Sequence, residues 1–76
     1  MEVKIALGRA IKARRSELGL SQEDLANATS MSRSFVSGVE RGERQTSSTS
    51  LWRLSQTLRC RPSDLWLRAE KLMEEA

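Results

Sequence analysis

Arg33, Ser34 and Ser37 stand within five residues of one another beside an apolar pair, Val36 and Val39. Their chemistry is directional hydrogen bonding. An arginine fork matches the O6 and N7 acceptors of guanine in the major groove, a contact worth about 1–3 kcal/mol of discrimination. If Val36 and Val39 face a core, Arg33, Ser34 and Ser37 lie on the open side of the same helix. The alternatives are an arginine that is only solvated and serines that are only helix-compatible polar residues; the serines fit a base edge, a phosphate or neither equally well. Phe35 reads as a core-edge residue or as an apolar contact to a thymine methyl or sugar. The second is preferred because it follows two polar residues on the open face. Gln22 opens another helix, whose N-terminal N–H groups and dipole favour a phosphate, and its amide adds a hydrogen bond there. Arg44 and Gln45 follow the Arg33 segment and are candidates for gripping the flanking backbone.

Two further charges fall where charge is costly. Arg15 lies between Ile11 and Leu18 on an apolar stripe, and Glu40 follows Val36 and Val39 on another. Burying either alone is expensive, so an Arg15 to Glu40 ion pair is expected to join the two helices and fix the angle at which Arg33 is presented. The bland alternative is two independent surface charges.

These residues need helices to position them. Nothing alternates with strand periodicity, and Gly and Pro fall only at element ends, so the chain reads as all-α, a compact five-helix domain over residues 1–76. Leu7, Ala10, Ile11 and Leu18 mark a first helix over residues 3–18, closed by Gly19 in a left-handed cap. Ser21 with Asp24 forms an acidic capping box for a second helix, residues 22–28. Thr29, Ser30 and Met31 make a turn, and Ser32 caps a third helix, residues 33–41, stopped by Gly42. Thr46, Ser47, Ser48 and Thr49 are all possible caps for a fourth helix carrying Leu51, Leu54 and Leu58. Pro62 suits the first position of a fifth. Two short capped helices joined by about three residues have the spacing of a helix-turn-helix over residues 21–41, in which the second helix enters the major groove by its N-terminal residues.

Composition narrows the classes. The 76 residues carry 13 Lys and Arg against 10 Asp and Glu, a net charge of +3 that permits nucleic acid as partner. Residues 1–20 and 46–61 each carry +3, residues 21–45 carry −1 and residues 62–76 carry −2. One cysteine and no histidine leave no internal disulfide and no usual zinc site; no metal or cofactor is expected. Without histidine, a paired-carboxylate constellation or a glycine-rich phosphate loop, the chain does not read as an enzyme, and no small-molecule substrate is expected. No apolar run approaches the roughly 20 residues of a membrane span, and no signal-peptide core is present, so a cytoplasmic location without membrane partners is expected. The fifth helix carries Trp66, Leu67, Leu72 and Met73 spread around it, more than a short helix buries alone. Two-fold pairing through the fourth and fifth helices, about residues 62–75 in the latter, would cover them. Trp66 also fits the core, and Trp52 divides the same way.

The stretch RRSELGLSQEDLANATSMSRSFVSGVERGER resembles the Cro and lambda-repressor (XRE-like) type of helix-turn-helix, in its S-Q-E-D-L-A opening, its S-R-S-aromatic start and its closing E-R-G. Within that family it is most similar to the controller proteins of restriction-modification systems, whose recognition helix commonly runs R-[ST]-[aromatic]-[IV]-S-G-[IV]-E-R. The resemblance implies a lambda-repressor-like fold and a homodimeric transcriptional regulator on a palindromic operator of double-stranded DNA; RNA polymerase is a further candidate partner. It implies Arg33 at bases, Ser34, Phe35, Ser37, Arg44 and Gln45 at bases or backbone, Gln22 at phosphate, and the Arg15 to Glu40 pair. The chain departs where the family often has Asn-Pro-Ser-Leu: Gln45, Thr46, Ser47 and Ser48 stand there instead. A prophage-type repressor or an antitoxin-like protein-interaction module shares most of these features.

Overall fold

The computed structural model describes residues 1–76 as five helices: α1 (Val3–Glu17), α2 (Gln22–Thr29), α3 (Arg33–Glu40), α4 (Ser48–Thr57) and α5 (Pro62–Glu75). The expected all-α class and helix count hold, with ends that move by a residue. Helix α1 stops at Glu17 and α3 at Glu40, with Leu18 and Arg41 as their C-caps. Thr29, expected in the turn, closes α2 instead. It is buried, and its hydroxyl donates to the Leu25 and Ala26 carbonyls at 2.7 and 3.2 Å, which satisfies it inside the helix. The left-handed residue of the turn is Ser30, at φ 58°.

Each start has a local chemical cause. Ser21 Oγ accepts from Asp24 N while Asp24 accepts from Ser21 N, both at 2.9 Å, completing the expected capping box. Those bonds from Ser21 hold the Asp24 carboxyl below its ordinary range. Ser32 Oγ accepts from Phe35 N at 3.0 Å and so caps α3. Of the four candidates for α4, Ser47 is the cap, accepting from Ser50 N at 3.1 Å. Pro62 occupies the first turn of α5, and the Asp64 carboxylate accepts from Arg61 N at 2.8 Å.

One apolar cluster holds the helices together. Ala6, Leu7, Ala10 and Ile11 of α1, Leu25 and Ala26 of α2, Val36 and Val39 of α3, Leu51 and Leu54 of α4 with Leu58 at its end, and Leu65 and Ala69 of α5 are all buried in it. Small residues let α1 lie close. A Cβ at Gly8 would sit 2.8 Å from the Glu40 carbonyl oxygen and closer still to that of Val39. At Gly42, where φ is +74°, it would meet Ile5 Cγ1 at 2.6 Å. Helix α1 therefore runs directly against the end of α3. Its other flank is tied to α4 by Arg14, which donates to the Leu58 and Arg59 carbonyls at 2.9 and 3.3 Å and so satisfies the helix end. No helix is long and apolar enough to cross a membrane.

Candidate nucleic-acid interface

The second helix of the helix-turn-helix is amphipathic by position. Val36 and Val39 are buried, and Glu40 beside them is only 5% exposed. Arg33 and Ser34 are exposed on the opposite side and Ser37 is half-buried. Together with Arg41 they line one shallow depression. Three of these four were expected from the sequence. Arg41 was not: the spacing 33, 37, 41 continues the same face one turn further, but its place beside Gly42 reads as a helix end.

The Arg15 to Glu40 pair is present and forms a fork. Arg15 Nε donates to Glu40 Oε2 at 2.7 Å and Nη2 to Oε1 at 2.9 Å, with the two side chains 12% and 2% exposed. The third nitrogen, Nη1, donates to the Leu20 carbonyl at 2.7 Å. Hydrogen bonding to Glu40 raises the Arg15 pKa above its already high ordinary value, so the cation persists at any ordinary pH. Glu40 also accepts from Gln22 Nε2 at 3.0 Å. One carboxylate thus joins α1, α2 and α3, Arg15 adds the loop after α1, and no buried side-chain polar atom is left without a partner.

That bond modifies the expectation for Gln22. Its side chain is half-buried and one amide N–H is spent on Glu40, leaving the amide oxygen and the second N–H for an external group. Phe35 is likewise drawn inward: it is half-buried and packs against the core, so only part of its ring is open. The core-edge alternative accounts for that packing.

Arg44 and Gln45 are exposed, just beyond α3. The backbone N–H groups of Glu43 and Arg44 both donate to the Gly38 carbonyl, at 2.9 and 3.2 Å. The Arg44 stem crosses α3 at Gly38, where an added Cβ would meet Arg44 Cγ at 3.0 Å. Gly38 therefore makes room for Arg44 to lie along α3, a relation invisible in the sequence because it depends on the path of the loop.

The four apolar residues of α5 divide. Trp66 and Leu67 are 43% and 62% exposed, whereas Leu72 and Met73 are half-buried and pack on the core. Leu72 and Met73 are thus largely satisfied within the chain, and the uncovered apolar surface narrows to Trp66 and Leu67. Trp52 of α4, 55% exposed, adds to the apolar surface that the single chain leaves open.

The helix-turn-helix family model HTH_3 matches residues 11–65. No curated protein matches the sequence. Among solved structures, the chain is similar to the clp gene regulator ClgR of Corynebacterium glutamicum: identity is 28%, the match covers 97% of this chain and 79% of that one, and the TM-score is 0.95. It is similar to the restriction-modification controller protein C.AhdI of Aeromonas hydrophila at 37% identity, over 82% of this chain and 94% of that one, with a TM-score of 0.80. A third likeness, to the restriction-modification controller protein C.Esp1396I, is 26% identical over 100% and 99% of the two chains, with a TM-score of 0.89. C.Esp1396I has also been solved as a tetramer in complex with its natural 35 base-pair operator.

Proposed function

The chain belongs to the helix-turn-helix family whose model it matches, and from that premise we propose that it is a sequence-specific DNA-binding transcriptional regulator. It acts in the cytoplasm, as a homodimer on a palindromic operator, in the manner of the restriction-modification controller proteins. The observation that carries this reading is the two-sided recognition helix. Arg33 and Ser34 are open on one side of α3 while Val36, Val39 and Glu40 anchor the other.

In this mechanism α3 enters the major groove by its N-terminal end and α2 crosses the backbone. Arg33 presents its fork to guanine, and Ser34 and Ser37 bond base edges or sugar-phosphate. The open part of the Phe35 ring takes an apolar contact, Arg44 and Gln45 grip the flanking strand, and Gln22 meets a phosphate with the part of its amide that Glu40 leaves free. Bidentate recognition tolerates little angular error, and the Arg15, Glu40 and Gln22 network supplies the rigidity. The operator complex of C.Esp1396I, a protein of the same length class and fold, supports duplex DNA and a self-associated state as the partners.

Selection from a random duplex library by the purified protein tests the reading. The expected product is a two-fold symmetric site with half-sites about 34–36 Å apart. Arg33→Ala is expected to lose about 1–3 kcal/mol of discrimination at one base pair per half-site, with unchanged thermal stability. An unenriched library would sink the regulator reading, and undiminished discrimination by the variant would remove Arg33 from the base contacts.

A further inference from the structure

Arg41 caps the recognition helix with all three guanidinium nitrogens engaged. Nε and Nη2 donate to Glu43 Oε2 at 3.1 and 2.9 Å, and Nη1 donates to Ser37 Oγ. The pair lies in water, its side chains 56% and 62% exposed, and spans only two residues, so it ties no elements together. Exposed pairs of this kind contribute little to stability. Its location is what sets it apart: Arg41 lines the depression shared with Arg33, Ser34 and Ser37. A carboxylate oxygen on a guanidinium occupies the place and carries the charge that a phosphate oxygen would bring.

We infer that Glu43 is an intramolecular rival of the DNA backbone, holding Arg41 and through it Ser37 in the free protein until a phosphate displaces it. The inference rests on the DNA-binding reading and deepens it. Arg41 becomes a further phosphate contact, and Glu43 a residue that lowers affinity. Phosphate contacts carry no sequence information, so the exchange weakens binding to all sequences alike and leaves discrimination to Arg33.

Titration of a mixed-sequence duplex at several salt concentrations, with the wild type, Glu43→Gln, Arg41→Ala and the double variant, provides the test. Glu43→Gln is expected to tighten binding about two- to fivefold, the scale of one exposed ion pair. Arg41→Ala should weaken it and reduce the salt slope by about 0.9, one phosphate's worth. In the Arg41→Ala background, Glu43→Gln should lose most of its gain, because the rival has nothing left to hold. The full gain in that background would mean that Glu43 merely repels DNA, and no gain in either would remove it altogether; both overturn the inference. A wild type that binds no duplex would instead sink the DNA-binding reading beneath it.

Discussion

Glu40 organises the site from behind its open face. It is buried, takes both arms of the Arg15 fork, and accepts a further bond from Gln22. The sequence exposes the first relation, because two charges on apolar stripes demand one another. It conceals the second, because a neutral glutamine raises no such demand and reads as a free helix-start residue. Glu40→Gln keeps the volume, but takes the counter-charge from a guanidinium only 12% exposed and turns an N–H group toward it. Removing one partner of a buried pair costs about 3–5 kcal/mol, and the residual exposure of Arg15 places the expected loss at the lower end, about 3 kcal/mol. Urea unfolding should show a lower midpoint with an unchanged slope. A midpoint within error of the wild type would mean that the pair neither holds nor angles α3.

At the scale of elements, the signals that were legible are those written in short-range chemistry. Ser21 with Asp24, Ser32 and Pro62 begin the helices where their side chains dictate, and the apolar spacings pick out the core faces of α1 and α4. What was not legible depends on the path of the chain in space. The sequence offers four caps for α4, and Ser47 is the one used, with Leu51 four residues on in the core. Gly8 looks like any helical glycine until the carbonyls of Val39 and Glu40 lie against it. Leu72 and Met73 look unburied until α5 packs against α1. The Ser32 cap of α3 is exposed. Ser32→Ala removes the acceptor for Phe35 N, with an expected cost of about 1 kcal/mol. In a domain of this size that lowers the melting temperature by about 4–8 °C. Ser32→Asp, which preserves an acceptor, should restore most of it, and failure of that rescue would show that the loss came from something other than capping.

For the whole molecule, the proposed function requires two α3 helices to be held one DNA turn apart. A single chain measures 32 × 22 × 22 Å, and the proposed dimer must set its two α3 helices roughly 34 Å apart. The proposed contact uses apolar surface left open after the core is complete, Trp66 and Leu67 on α5 with Trp52 on α4. A two-fold interface uses each residue twice, so one substitution acts on both sides. Burying a leucine is worth about 1.5–3 kcal/mol, and Leu67→Glu forfeits that while bringing two carboxylates toward each other. Dimer association should weaken by more than about a hundredfold on sedimentation, with helical content and melting of the monomer preserved. The same variant should bind a full palindrome no better than an isolated half-site, because the second half-site then no longer benefits from being tethered to the first. A variant that still sediments as a dimer would move the interface elsewhere, and a monomeric variant whose palindrome preference survives would separate self-association from operator recognition.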